Sequence, residues 1–195
     1  NCKRIFSLLL CAALVCTLFA GCGGRNKQLD IIYPITGDIT SFDPQVAATQ
    51  DEYLIAENCY EGLVRVEDDG TVKPAVAADW TVSTDQKTYT FHLRSDVTWH
   101  DGECFTANDV KFTIEAIMDP DNGSENAPNF EDVEEITVED DYTVSFRLSA
   151  PNAAFLDYMT MAILPQHLLE GEDFQTSDFF RNPIGTGAYK LASWD

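Results

Sequence analysis

Three histidines, six cysteines and 33 carboxylates are the groups in this 195-residue chain that could do chemistry. His100 stands beside Asp101, with Glu103 close behind. Imidazole and carboxylate in one short run are ligand types that suit a transition metal. Their placement in a turn argues against it, because neighbours in sequence rarely aim at one point, and the reading taken is a turn without metal. His167 follows Pro165-Gln166 at the start of a short helix, a position for a cap or a packing residue. Nucleophilic or metal-assisted catalysis has recognisable frames, and no GxSxG, HExxH or GxxxxGK[ST] occurs. Gly185-Thr186-Gly187 is too little for a nucleotide loop. Asp68-Asp69 and Asp140-Asp141 are expected in hairpin turns as solvated charge. No enzyme is visible and no cofactor is implied.

The N-terminal residues carry a different chemistry. Lys3 and Arg4 precede an apolar run, Ile5–Ala20, that is too short to span a bilayer comfortably. Ala20-Gly21-Cys22 then resembles a bacterial lipobox, with Phe19 where leucine is usual. On that reading residues 1–21 are a removed signal peptide and the Cys22 sulfur carries a diacylglyceryl group. Two acyl chains matter, since a single chain holds a protein at a membrane only marginally. The alternatives are an ordinary secretory signal or a short membrane anchor. The chain starts at Asn1 rather than methionine, which reads as a fragment edge. Cys2, Cys11 and Cys16 fall in the signal, leaving Cys59 and Cys104. An oxidising compartment permits a bridge between them, but Cys59 fits the buried face of a helix instead.

The signal segment holds two of the twelve basic residues and none of the 33 acidic ones, so residues 22–195 keep 10 basic against 33 acidic, a formal charge of −23. That surface repels nucleic acid and anionic lipid alike.

The elements that would position any site follow from pattern. Residues 22–28 form a polar tether, and Leu29–Ile35 reads as a strand closed by the Thr36-Gly37-Asp38 turn. Thr49 and Glu52 form a capping box opening a helix with Leu54, Ile55 and Cys59 at helical spacing, ending at Gly62. Leu63–Val66 and Thr71–Lys73 make a hairpin; Trp80–Ser83 and Thr88–Leu93 make another, with Tyr89, Phe91 and Leu93 on one face. Thr106 starts a second helix with Val110, Ile114 and Ile117 on one side. Residues 119–129 read as loop, and Val133–Glu139 with Tyr142–Leu148 as a third hairpin. Short helical stretches lie near Ala153–Tyr158 and Gln166–Glu170, and Gly185–Leu191 reads as a strand entry. Short strands mixed with amphipathic helices indicate an α/β or α+β fold.

Taken together these segments resemble a known family. Glu61-Gly62-Leu63-Val64, Pro74-Ala75-Val76-Ala77-Ala78-Asp79-Trp80, Tyr89-Thr90-Phe91-His92-Leu93-Arg94 and Val97-Thr98-Trp99-His100-Asp101-Gly102 are similar to blocks of the extracellular solute-binding protein family 5. Ala107-Asn108-Asp109-Val110, Ile163-Leu164-Pro165-Gln166-His167 and Gly185-Thr186-Gly187-Ala188-Tyr189 continue the series in order. Trp99 stands where phenylalanine is commoner, and Ala188 where proline often is.

The resemblance implies a periplasmic-binding-protein type II-like clamshell, an α/β fold of two lobes that close on a ligand. Residues 29–60 and 176–195 would belong to the first lobe's core and residues 61–175 to a subdomain inserted in it, with the second lobe outside this chain. It implies a lipid-anchored, monomeric receptor of an ABC importer that captures peptides and delivers them to a membrane permease. Its location would be the outer face of the cell membrane, or the periplasm of a diderm. A nickel chelate, haem or oligosaccharide on the same scaffold is the alternative, and a secreted hydrolase or structural lipoprotein the rival of another class. By the same analogy two loops approach the ligand, at Thr36–Thr40 and about Ala127–Phe130. Thr36, Gly37, Asp38 and Phe130 are the candidate binding residues. Asp38 could attract a cationic group or be a solvated turn residue, and Phe130 could be a stacking wall or core.

Overall fold

Alternation of apolar side chains along two neighbouring strands decides where the main core lies. A computed structural model describes residues 32–47 and 49–194; the signal segment, Cys22, the tether and Leu29 lie outside the described residues. The elements are α1 (Gln50–Cys59), β1 (Val64–Val66), β2 (Val72–Pro74), β3 (Ala77–Val82), β4 (Thr88–Leu93), α2 (Ala107–Met118), β5 (Val133–Asp140), β6 (Thr143–Leu148), α3 (Phe155–Tyr158) and α4 (Gln166–Leu169). Short 3₁₀ turns at Pro120–Asn122, Ala127–Phe130 and Asp178–Arg181 complete them.

β1 and β2 pair as an isolated hairpin, and β3-β4-β6-β5 form an antiparallel sheet. In register, Tyr89 lies opposite Phe146 and Phe91 opposite Val144. Successive strand residues point to opposite faces, so Tyr89, Phe91 and Leu93 bury together with Val144, Phe146 and Leu148. The 3.6-residue period of α2 supplies the cover, through Val110, Ile114 and Ile117, all at most 1% exposed. Trp99, Phe105, Phe130 and Phe155 fill the remaining volume.

A second, smaller core gathers Ala56, Cys59, Tyr60, Leu164, Leu169 and Phe180. It joins the C-terminal half of α1 to the chain around α4. The two are stitched by polar groups: Asp109 on α2 accepts from the Gln166 backbone N–H at 2.9 Å, and the Thr113 hydroxyl accepts from the Leu164 N–H at 2.9 Å. Burial dominates at Asp109 and lifts its pKa above the ordinary carboxylate value.

Four expectations are corrected. Ile32–Ile35 carries no strand, because a strand needs a hydrogen-bonded neighbour and no described residue pairs with it. Gly185–Leu191 is likewise not a strand; its backbone bonds to the end of a helix instead of a sheet edge. α1 ends at Cys59, not Gly62, with Tyr60 extended as its C-cap. Its buried residues are Asp51, Glu52, Ala56 and Cys59, whereas Leu54 and Ile55 are only half-buried. Cys59 and Cys104 are both free. Among the described residues no helix is long and apolar enough to cross a membrane.

Candidate functional site

α1 begins with a reciprocal cap. The Thr49 hydroxyl accepts from the Glu52 N–H at 3.2 Å, and the Glu52 carboxylate accepts from the Thr49 N–H at 3.1 Å. Carboxylates are favoured at this positive end of a helix. Here they also reach outward. Asp51 Oδ2 accepts from both the N–H and the hydroxyl of Thr36, each at 2.8 Å, and Glu52 Oε1 accepts from the N–H and hydroxyl of Thr40 at 3.2 and 2.9 Å. The Thr36 hydrogen bonds hold the Asp51 carboxyl below its ordinary value. The turn containing Thr36, Gly37 and Asp38 is thereby locked while remaining exposed. Asp38 makes no hydrogen bond or ion pair among the described residues.

The segment just before the second predicted loop meets the same stretch of chain. Gln45 Oε1 accepts from the Ser124 hydroxyl and from Asn126 Nδ2, both at 3.3 Å. Between these contacts lies Asp43, 6% exposed, whose Oδ1 accepts from the Gln45 N–H at 2.9 Å.

Burial raises Asp43 from 3.8 to about 6. The folded protein then holds a proton that the unfolded chain releases between those two values. The stabilisation is complete below the unfolded value and is lost as pH rises through 6, leaving a cost of about 3 kcal/mol from the ionised group. Asp43→Asn keeps an acceptor for the Gln45 N–H and removes the charge. It is expected to raise stability by about 2 kcal/mol near pH 7.5 and to change little near pH 3. Urea unfolding at both pH values reads this, and equal destabilisation at both would show that the carboxyl's hydrogen bonds outweigh its buried charge.

Beside the second of these loops runs an open cleft of about 630 Å³. Its size is that of a small-molecule site. Tyr53, Glu57 and Tyr60 of the α1 segment form one wall, Asn126, Asn129 and Phe130 another, and Asp157 to Ala162 a third. Phe130 is 0% exposed and packs edge-on against Phe155 and Tyr158, at 6.4 and 6.2 Å between centroids. It is core, and it backs the cleft. Thr36, Gly37 and Asp38 do not line the cleft.

The histidines have structural partners. Gly185 N–H donates to His100 Nδ1 at 3.2 Å, which leaves the proton on Nε2 to donate to Gly187 O at 2.8 Å. His167 Nε2 lies 2.9 Å from Asp101 Oδ2, and its ring sits 6.1 Å from that of Trp99. His100 and Asp101 thus face different neighbours. Among the described residues no group of three His, Cys, Asp or Glu could hold a metal ion. Sequence reasoning missed the acceptor roles of Asp51, Glu52 and Gln45 and the clamp at His100. The Thr-x-x-Glu cap was the only local signal for any of them.

The family model "Bacterial extracellular solute-binding proteins, family 5 Middle" matches residues 71–195. The chain belongs to this family. Family 5 relatives include the dipeptide-binding protein DppE of Bacillus subtilis (strain 168), 31% identical over 175 residues, which cover 80% of this chain and 32% of DppE. Among solved structures, NikZ from Campylobacter jejuni in complex with Ni(L-His) superposes with a TM-score of 0.77 at 39% identity, over 83% of this chain and 32% of that one. The oligopeptide-binding protein AppA from Bacillus subtilis, in complex with a nonapeptide, gives 0.75 at 27% identity over 82% and 33%. This chain therefore spans about a third of the length of the family 5 proteins it matches, and its mixed α/β architecture is that of the corresponding part of solved binding proteins.

Proposed function

We propose that this family 5 chain is part of a receptor that captures peptides outside the cell and hands them to the transmembrane subunits of an ABC importer. One observation carries the reading. Of the two loops that the resemblance assigned to ligand, 36–40 is pinned to Asp51 and Glu52, and about 127–130 contributes Asn129 and Phe130 to a cleft of ligand size, with Ser124 and Asn126 just before it bonded to Gln45. Relatives that bind a dipeptide or a nonapeptide by name support the substrate class. Thr36 and Gly37 offer rigid backbone to a ligand, Asp38 a free carboxylate, and Phe130 a buried wall behind it. Residues 29–60 and 176–195 are then first-lobe core and 61–175 the inserted subdomain; the buried residues of the larger core all lie within 61–175, while the smaller core packs Leu164 and Leu169 of that subdomain against Ala56, Cys59, Tyr60 and Phe180. Ligand capture shifts an open–closed equilibrium, and no catalytic step is required. Cys22 carries the lipid, and the receptor works as a monomer at the outer face of the cell membrane, or in the periplasm of a diderm.

A nickel chelate is the second reading, favoured by the likeness to NikZ with Ni(L-His). Native mass spectrometry of the intact protein carrying Cys22→Ser decides between them. A mixed set of short co-purifying peptides is expected. A single metal chelate would keep the importer and change the cargo. An empty protein that shows no compaction by small-angle scattering on adding peptide mixtures would overturn the assignment.

A further inference from the structure

The charges along the cleft do not balance. Glu57, Glu61 and Asp157 all line it, and no hydrogen bond or salt bridge engages their carboxylates among the described residues. Glu61 acts on Arg94 only through space. Among the described residues Arg65 is the single cation on the lining, and it is already held by Glu67 at 2.8 Å and by Pro74 O at 2.7 Å.

Aromatic faces accompany the carboxylates. Tyr53, 49% exposed, stands at the mouth, with Tyr60, Phe130 and Tyr158 deeper. A ring face attracts a cation, and more so as water is excluded. Tyr60 adds an independent sign of a missing partner. It is 2% exposed, lines the cleft, and its hydroxyl has no hydrogen-bond partner among the described residues. Burial, with Asp43 adding to it, holds the Tyr60 pKa well above its ordinary value, so the hydroxyl stays neutral and its lone pairs can accept.

A bare metal ion does not fit, since no three ligating side chains among the described residues converge. Carboxylates set apart along an aromatic wall suit an extended cation with an apolar stem, the form of a lysine or arginine side chain. We infer that the cleft is a subsite for the basic side chain of a peptide, so that the receptor selects cationic over neutral and acidic peptides. This rests on the peptide-binding reading and names its substrate class.

Isothermal titration of the intact protein with three tripeptides, Ala-Lys-Ala, Ala-Gln-Ala and Ala-Glu-Ala, tests it. The lysine peptide is expected to bind about tenfold tighter than the glutamine one, with a preference that shrinks as salt is added. The double variant Glu57→Gln, Asp157→Asn should cut that preference to about twofold, weakening the lysine peptide about fivefold more than the glutamine one. Tyr60→Phe removes a hydroxyl without a partner, so it should fold as well as the wild type. It too should weaken the lysine peptide more than the glutamine one. Equal affinities for the lysine and glutamine peptides, or a preference that survives both variants, would overturn the subsite while leaving the peptide receptor intact. Failure of all three peptides to bind would overturn the peptide reading beneath it.

Discussion

Gly185→Ala is expected to cost about 3 kcal/mol or more, seen as a fall of about 1–2 M in the urea midpoint. A Cβ at this position would lie 1.8 Å from Cys59 O and 2.7 Å from Cys59 C, where the obstacle is backbone and no rotamer change relieves it. Neither side of the contact can step away cheaply. Cys59 closes α1 and sits in the smaller core, while its carbonyl accepts from the Gly187 N–H at 2.9 Å. On the other side His100 grips the same segment, its N–H donating to Gly185 O at 2.9 Å and its ring bonding to Gly185 N–H and Gly187 O. Relief would have to break one of these two attachments. Gly37→Ala is the control: nothing lies within 4 Å of its Cβ, and the midpoint should stay at the wild-type value. A wild-type midpoint for Gly185→Ala as well would mean that the 185–189 segment slides freely along the helix end.

The same clamp shows where sequence reading reaches and where it stops. β4 and α2 were legible because their patterns are local: Tyr89, Phe91 and Leu93 alternate, and Val110, Ile114 and Ile117 recur at helical spacing. The capping box of α1 was legible for the same reason. Its buried face was not, because Asp51 and Glu52 are buried by bonding to Thr36 and Thr40, which precede the helix. A helical wheel puts charge outside and has no means of knowing that a turn will fold over it. His100 shows this more sharply, for its partners are 85 and 87 positions away. Its neighbour Asp101, read with it as part of a turn without metal, pairs instead with His167, 66 positions away. The cleft was the least legible feature, since its walls come from several separated segments, and the family blocks among them, around Glu61–Val64 and at Ala75, mark the fold and not a site. The ordered family blocks marked the fold, and Gly185 and His100 lie inside them as scaffold, not as ligand contacts.

The cleft wall itself depends on one ring. Phe155, 1% exposed, stands 4.8 Å from Tyr89, 5.6 Å from Phe146 and 6.4 Å from Phe130, so it links the sheet to the residue that backs the cleft. Phe155→Ala removes a fully packed aromatic side chain and is expected to cost about 4 kcal/mol, through lost burial and through the cavity left behind. Collapse into that cavity is restricted. The Tyr89 hydroxyl is anchored to Asn152 O at 3.0 Å, and Phe146 is fixed in register opposite Tyr89 and Ile136. Phe130 is the ring freest to move, because it sits in a 3₁₀ turn and not in the sheet. Its shift would draw the wall away from Tyr158 and loosen the cleft. The variant should therefore lose ligand affinity as well as stability, and Phe155→Leu, which keeps most of the volume, should lose about a third as much stability and hold the ligand better. Urea unfolding and titration on the same preparations separate the two effects. A large stability loss with wild-type affinity would show that Phe130 keeps its place without Phe155, and that the cleft is held by the 157–162 segment and α1 instead.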